Sequence, residues 1–199
     1  QARYRDALFT GVTVTRDIPY GSAISPKTNT TEVLRLDHFT PTGDTEKLRP
    51  AVVLVHGGGF TGGDKNHRYL KRFADLACKR GYVAVSINYR LLPSRPKSLA
   101  EILISVADFK AAVRYLRKNA STWGIDKDRI ACLGSSAGAY ICMEAAYGNT
   151  GAGGSGNPGY RDDVQVVIDL WGALLDPKVI QGNEAPLMII HGTLDTIVP

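Results

Sequence analysis

Residues 129–147 decide the fold, and they read RIACLGSSAGAYICMEAAY. The apolar run Arg129–Leu133 predicts a buried strand, and the stretch Ala137–Tyr147 predicts a helix. Between them lies the pattern Gly-x-Ser-x-Gly, at Gly134–Gly138. A turn this tight from strand to helix lifts one side chain from the edge of a sheet, and its crowded backbone needs glycine on both sides. The sequence therefore predicts that the central serine of this turn is presented at a sheet edge.

That central serine is Ser136, and the pattern makes it, rather than Ser135, the candidate nucleophile. A serine hydroxyl attacks a carbonyl carbon effectively only when a base removes its proton. The alternative interpretation is a glycine-rich turn whose serines cap the following helix. The predicted strand before the turn and the predicted helix after it favour the nucleophile.

A second glycine-rich stretch, His56–Phe60, follows the predicted strand Ala51–Val55. Acyl transfer builds negative charge on the carbonyl oxygen, and backbone N–H groups that point at this oxygen stabilise it. We expect three N–H groups to form such an oxyanion hole, those of Gly58, Gly59 and Ala137. His56 is then expected to hold the loop rather than to act as a base. The alternative, a phosphate-binding loop, lacks the Lys-Ser/Thr and dinucleotide patterns that such loops carry.

The candidate acid is Asp195, which follows the predicted strand Leu187–Ile190 in the stretch His191-Gly192-Thr193-Leu194-Asp195. A carboxylate in this place can orient a catalytic imidazole and stabilise it when protonated. The chain order of Ser before Asp agrees with the order expected for a strand-turn-helix nucleophile. Asp176, after the preceding predicted strand, is the alternative acid.

The general base is the part that the sequence does not supply, because no histidine follows Asp195. The four histidines are His38, His56, His67 and His191. Of these, His67 is the one outside candidate for the base, although a normal triad geometry would then be lost.

Outside this region, short apolar strands alternate with helices, which predicts a mostly parallel sheet with helices on both faces. The predicted strands are Val12–Ile18, Val33–Phe39, Ala51–Val55, Tyr82–Ile87, Arg129–Leu133, Val164–Leu170 and Leu187–Ile190. The predicted helices are His67–Arg80, Ala100–Asn119 and Ala137–Tyr147. The first two strands alternate polar and apolar residues, so we expect them to form an antiparallel edge around a polar loop, Gly21–Thr31. The segment Gly148–Gly159 is either a plain connector or a mobile loop near the site.

Composition excludes several classes of function. With 44% hydrophobic and 22% charged residues, the 199-residue chain is typical of one globular domain. Its apolar runs are too short to cross a bilayer. The net charge is +5, and the basic residues are scattered along the chain, which argues against nucleic acid as a partner. One small cluster of basic residues predicts a solvated helix face. That cluster is Lys65, His67, Arg68, Lys71 and Arg72. The three cysteines, Cys78, Cys132 and Cys142, lack metal-ligand spacing and are predicted to be buried free thiols.

These motifs together resemble the α/β-hydrolase superfamily, and within it the carboxylesterases with an HGGG oxyanion loop. The resemblance is strongest to the BD-FAE-like branch, which includes feruloyl and acetyl-xylan esterase-like enzymes. It implies an α/β-hydrolase fold and hydrolysis of small carboxylic esters through an acyl-enzyme, without metal or cofactor. It also implies that Ser136 and Asp195 are catalytic, and that the site is open because there is little room for a large cap domain.

The chain departs from the family pattern at its end. The family places its catalytic histidine in a loop after one further strand, so the resemblance implies that the last strand, the last helix and the histidine lie outside Gln1–Pro199. The expected partner is therefore a C-terminal segment of the same protein, either a second polypeptide after cleavage or a further stretch of the same chain. The chain begins at Gln1 rather than Met, which we take as slightly favouring a secreted or periplasmic protein.

Two other functions stay open: a non-catalytic ligand-binding protein on a hydrolase scaffold, and an exopeptidase or amidase of the same fold. Aromatic side chains near the motifs are candidates for the walls of the substrate pocket, although large aromatics more often pack in cores. These candidates are Phe60, Tyr89, Tyr140 and Trp171.

Overall fold

The computed structural model describes residues 1–198 and contains seven strands and four α-helices within them. The strands are β1 (Val12–Ile24), β2 (Thr31–Pro41), β3 (Arg49–Val55), β4 (Val83–Ile87), β5 (Ile125–Ser135), β6 (Val166–Leu170) and β7 (Leu187–Ile190). The helices are α1 (Arg68–Cys78), α2 (Leu99–Lys118), α3 (Ala120–Trp123) and α4 (Ala137–Tyr147). A short 3₁₀ turn covers Pro177–Val179.

All seven strands form one sheet in the order β1-β2-β4-β3-β5-β6-β7. β1 pairs antiparallel with β2 and β2 pairs antiparallel with β4, whereas the pairs from β4 to β7 are parallel. The predicted α/β class with an antiparallel N-terminal edge is therefore confirmed. Val55 at the end of β3 is paired with Gly134 of β5, so the loops after these two strands leave the sheet at the same edge.

The first hairpin is longer than predicted. β1 continues to Ile24 and β2 begins at Thr31, so the predicted polar loop Gly21–Thr31 shrinks to the turn Ser25–Thr30. Tyr20 and Leu34 are almost fully buried, which explains why the strands extend past their polar exposed residues.

Helices cover both faces of the sheet. Val53 and Val55 of β3 point into the larger core with α2 and α4, whereas Leu54 points into a smaller core under α1. This alternation is the two-residue period of a strand buried on both sides.

Beside α1, the sheet face is less fully covered within residues 1–198. A groove of about 460 Å³ lies there, and its walls include Val52 of β3, Phe73 of α1 and Val166 of β6. Phe73 is 38% exposed and Val166 is 37% exposed. The strand β7 continues this apolar surface, because Met188 and Ile190, which pair with Ile168 and Leu170 on the same face, are exposed as well.

The glycine-rich segment 148–159 is a connector that α2 holds in place. Lys110 Nζ donates to the carbonyl of Thr150 (2.7 Å), and Arg114 Nε donates to the carbonyl of Gly156 (3.0 Å). Ser155 is buried and donates its hydroxyl to Asp108 Oδ1 of α2 (2.6 Å). The segment packs between α2 and β1, where the N–H of Ser22 donates to the carbonyl of Ser155 (3.1 Å), and it contributes nothing to the cavity described below.

The prediction that the basic cluster is exposed to solvent is wrong for one of its five residues. Lys65 is buried, and its Nζ lies 2.8 Å from Asp17 Oδ1 and 2.9 Å from Asp37 Oδ1. A lysine reaches such a place only when carboxylates compensate its charge. The other members, His67, Arg68, Lys71 and Arg72, are exposed as predicted.

The three cysteines are free and buried, as predicted. Across residues 1–198, the helices are too short or too polar to pass through a lipid bilayer.

Candidate active site

The candidate nucleophile lies at a strained turn between β5 and α4. Ser136 has φ 51° and ψ −123°, a conformation that costs a residue with a side chain of order 1–3 kcal/mol. The surroundings enforce it: the Ser136 N–H donates to the carbonyl of Leu170 (2.9 Å), and its own carbonyl accepts from the N–H groups of Ala139 and Tyr140. The turn therefore holds Ser136 at the carboxyl edge of the sheet, as the sequence predicts.

The glycines of this turn are needed because the backbone is crowded. A Cβ at Gly138 would lie 2.3 Å from the carbonyl oxygen of Val55, and a Cβ at Gly134 would lie 2.2 Å from the carbonyl oxygen of Gly138. Nothing but hydrogen fits at either position. Both glycines of the Gly-x-Ser-x-Gly pattern are thus required, because α4 packs too closely against β3 and β5 to leave room for a side chain.

Ser135 and Ser136 have different surroundings. Ser135 is fully buried, and its hydroxyl forms a hydrogen bond with the hydroxyl of Tyr69. Ser136 lines a cavity and forms no side-chain hydrogen bond within residues 1–198. This difference agrees with the assignment of Ser136 as the residue able to meet a substrate.

The loop after β3 lies directly against the turn. A Cβ at Gly57 would lie 3.2 Å from the Cβ of Ser136. Gly58 has φ +119° and accepts hydrogen bonds from the N–H groups of Thr61 and Gly62 (3.1 Å each), which fold the loop back on itself.

This loop and the start of α4 leave three backbone donors unused. The N–H groups of Gly58, Gly59 and Ala137 find no acceptor within residues 1–198. Gly59 and Ala137 also line the same cavity as Ser136. Unused N–H groups beside a serine can stabilise an oxygen that gains negative charge, which is the chemistry of an oxyanion hole.

His56 holds this loop from beneath, as predicted. It is 1% exposed, and its Nδ1 lies 2.7 Å from the carbonyl oxygen of Gly57. Burial lowers the pKa of His56 below its ordinary value, so the ring is neutral and its Nδ1–H donates to that carbonyl.

A cavity of about 320 Å³ opens beside Ser136. Two of the predicted aromatic walls, Phe60 and Tyr140, line it with their rings edge to face and their centroids 6.3 Å apart. This volume is at the small end of the range for ligand pockets, about 300–1,000 Å³.

The other two predicted walls lie elsewhere, so those predictions are corrected. Tyr89 is 1% exposed, stacks on His56 and donates its hydroxyl to the carbonyl of His56 (3.0 Å). Trp171 follows β6 with φ +47° and packs its edge against Tyr69, outside the cavity. Tyr89 belongs to the core because the backbone after β4 turns beneath the loop His56–Phe60, which the sequence alone does not reveal.

Asp195 lies in a tight turn after β7. Its Oδ1 accepts from the N–H groups of Val198 (3.0 Å) and Ile197 (2.8 Å), and its Oδ2 lies 3.5 Å from His191 Nε2. The hydrogen bonds from Val198 and Ile197 lower the pKa of Asp195, so the group is a carboxylate with one oxygen available. Asp176, the alternative acid, is exposed and caps the 3₁₀ turn by accepting from the N–H of Lys178 (3.0 Å).

No histidine within residues 1–198 forms a hydrogen bond to Ser136. His67 is exposed, lies against the ring of Tyr69 with centroids 4.1 Å apart, and does not line the cavity. Within residues 1–198, the cavity therefore brings Ser136 together with Gly59 and Ala137 but with no histidine, and Asp195 is not among its lining residues.

Several residues at the site belong to no motif in the sequence, among them Pro96, Leu175, Ile197 and Val198, which line the cavity. Arg95 and Ile102 line the cavity from the segment before α2 and from its first turn. Tyr69 supports Ser135 from α1. Arg95 stands between two prolines, which is a visible loop signal, but nothing in that pattern indicates which cavity the loop reaches.

A family model and several curated esterases are similar to the chain. The BD-FAE family model matches residues 36–176, more than half of the chain. Among curated proteins, the chain is 30% identical over 156 residues to esterase LipI of Mycobacterium tuberculosis, which covers 76% of this chain and 44% of LipI. It is 33% identical over 135 residues to esterase LipQ of the same organism, covering 66% of this chain and 28% of LipQ. The chain spans less than half the length of these relatives.

Solved structures agree on the fold. Esterase 2 of Thermogutta terrifontis, phosphoramylated by tabun, has a TM-score of 0.74 at 24% identity, covering all of this chain and 77% of the esterase. The bifunctional GH43-CE protein of Bacteroides eggerthii has a TM-score of 0.73 at 21% identity, covering 94% of this chain and 29% of that protein. At these identities the likeness concerns the fold.

Proposed function

The chain belongs to the BD-FAE family, and from that premise we propose that it carries the nucleophile, oxyanion hole and acid of a serine carboxylesterase. The observation that carries the proposal is the arrangement around Ser136. A strained serine, three unused N–H groups and a small cavity meet at one edge of the sheet. The names of the relatives, esterases and carboxylesterases, support the same reaction class.

In this proposal, Ser136 Oγ attacks the ester carbonyl carbon while its proton passes to an imidazole. The carbonyl oxygen becomes an oxyanion that accepts hydrogen bonds from Gly58, Gly59 and Ala137. The carbon–oxygen bond to the alcohol then breaks, the imidazolium returns the proton to the departing alcohol, and an acyl group stays on Ser136. Water, deprotonated by the same imidazole, releases the acid and restores the serine.

Asp195 is the acid that orients this imidazole through its available Oδ2. Since none of the four histidines hydrogen-bonds to Ser136, we propose that the imidazole comes from a segment of the same protein outside residues 1–199. The comparisons give no support to the alternative that this segment is a separate polypeptide.

Neither competing function is favoured by an observation at the site. A purely ligand-binding protein has no need of the strain at Ser136 or of unused N–H groups beside it. An amidase or exopeptidase would use the same residues, so hydrolysis of paired ester and amide substrates separates it from an esterase.

The test is hydrolysis of p-nitrophenyl acetate and butyrate by the full-length protein, together with labelling by a fluorophosphonate probe. We expect Ser136→Ala to lower kcat by a factor of about 10³ or more and to abolish labelling. The matched control is Ser121→Ala, because Ser121 is exposed on α3 away from the cavity. Equal hydrolysis by the Ser136→Ala protein and the unsubstituted protein would refute the proposal.

A further inference from the structure

Arg95 is the single charged side chain that lines the cavity beside Ser136 within residues 1–198. The remaining walls are backbone or largely apolar side chains such as Phe60, Ile102 and Leu175. A methyl group added at Gly59 would lie 3.9 Å from Arg95 Nε, so the guanidinium lies beside the oxyanion loop. An exposed cation therefore lines an otherwise largely apolar cavity that Ser136 also lines.

This exposed guanidinium has no protein partner in the described part of the chain. Arg95 forms no hydrogen bond there, and no carboxylate oxygen of residues 1–198 lies within 4.0 Å of it, whereas the buried Arg90 is paired with a carboxylate. Arg90 binds Asp108 through Nε and Nη2. The acid next to this segment, Glu101, is occupied elsewhere, because its Oε2 accepts from the N–H of Lys97 at the start of α2.

The segment that carries Arg95 is anchored to the site. The N–H of Leu92 donates to the carbonyl of Phe60 (2.8 Å), and Leu92 is buried. Arg95 is flanked by Ser94 and Pro96, and a residue before proline is restricted to extended conformations. The position of Arg95 relative to the oxyanion loop is therefore set by the backbone.

Lys27 places a second positive charge at the same loop. Its Nζ donates to the carbonyl of Thr61 (2.8 Å). Lys27 does not line the cavity, but its charge adds to the positive potential around the oxyanion loop. Planar guanidinium donors pair with carboxylates in a bidentate manner.

We propose that Arg95 is a specificity-determining residue that selects ester substrates bearing a carboxylate, joined to the scissile ester by a short apolar spacer. This inference rests on the proposed esterase function and adds the substrate class to it. The apolar walls hold the spacer, Ser136 meets the carbonyl carbon, and Arg95 binds the remote carboxylate. Substrates of this class are half-esters of dicarboxylic acids, or esters of hydroxy acids whose carboxylate is free.

The test compares two pairs of substrates that differ in one charged group, using the full-length protein. Monomethyl adipate and methyl hexanoate form the pair with the charge on the acyl side. The acetate ester of 4-hydroxybenzoate and 4-methylphenyl acetate form the pair with the charge on the alcohol side. For each pair, the ratio of kcat/KM for the anionic ester to kcat/KM for the neutral ester is measured, so that leaving-group differences cancel between variants.

We expect Arg95→Met to lower this ratio by a factor of about ten in one pair, as a charge-assisted hydrogen bond at a partly solvated site suggests. Arg95→Lys should restore part of the loss, and high salt should lower the ratio only in the protein with a cation at 95. The control is Lys118→Met, since Lys118 is exposed at the far end of the 20-residue helix α2, about 30 Å from its start.

Ratios within about twofold of the unsubstituted protein in both pairs would overturn the inference while leaving the esterase intact. Absence of hydrolysis of both neutral esters by the unsubstituted protein, with no labelling of Ser136, would overturn the proposed function and this inference with it.

Discussion

At the scale of single residues, the conformation of Ser136 is imposed by its neighbours. Its N–H is bound by Leu170, and its carbonyl is bound by the first turn of α4. Gly138 lets α4 approach β3 so closely that its Cα faces the carbonyls of Val55 and His56. The backbone of Ser136 is thus held in place by main-chain contacts alone.

Gly138→Ala tests this dependence. The new methyl group would lie 2.3 Å from the carbonyl oxygen of Val55 and 2.6 Å from that of His56, so α4 has to shift. We expect a loss of about 1–3 kcal/mol in the free energy of unfolding and a loss of esterase activity larger than the unfolded fraction explains. Thermal unfolding and hydrolysis of p-nitrophenyl butyrate measure both. The control is Gly151→Ala, because a methyl group there meets nothing within 4 Å.

Tyr69→Phe tests the support beneath the nucleophile. It removes the partner of the buried Ser135 hydroxyl, and an unsatisfied buried hydroxyl costs about 1–3 kcal/mol. The double variant with Ser135→Ala should recover most of the stability, since neither polar group then remains. Chemical denaturation of the unsubstituted protein, the two single variants and the double variant gives the coupling free energy between the two hydroxyl groups. A Tyr69→Phe protein as stable as the unsubstituted protein would contradict the importance of the hydrogen bond.

At the scale of elements, the site exists because two adjacent parallel strands end side by side. Val55 of β3 and Gly134 of β5 are paired, and each strand continues into one half of the site. The N-terminal part of α2 then closes the cavity with Ile102.

β2 and α3 supply a different kind of contact, in which His38 stacks on Trp123 with ring centroids 4.3 Å apart.

The His38 contact makes stability depend on pH. Burial, with a smaller effect of the Arg49 charge, lowers the pKa of His38 from 6.5 to about 4. The unfolded chain therefore binds a proton at a higher pH than the folded chain, so stability is complete above pH 6.5 and falls as the pH drops toward 4. Between pH 7 and pH 5 we expect His38 to account for a loss of about 2 kcal/mol.

Urea unfolding at pH 7 and pH 5 measures this loss. His38→Phe should keep the stack on Trp123 and lose about 2 kcal/mol less than the unsubstituted protein over the same interval. An identical pH dependence in both proteins would show that His38 is not the group responsible. His56, whose pKa burial also lowers, contributes equally to both proteins.

At the scale of the whole molecule, the sequence predicts what local rules determine. The β5–α4 turn and the alternation of strands and helices follow from sterics and hydrophobic periodicity, which act between residues near in sequence. The sequence cannot show which loops meet in space. Tyr89 therefore lies in the core, and Lys65 lies between two carboxylates, although neither position was predicted. Arg95 lines a cavity that the sequence around it does not indicate.

The way α2 holds the segment after α4 has a consequence for how this protein can change over evolutionary time. Lys110, Arg114 and Arg117 bind mostly main-chain carbonyls along residues 150–163, and every amino acid carries such a group. Most side chains of the segment can therefore be substituted without losing these hydrogen bonds. Its length is fixed, because the three basic residues are spaced along one helix. Among relatives, we expect the amino acids of this segment to vary far more than its length.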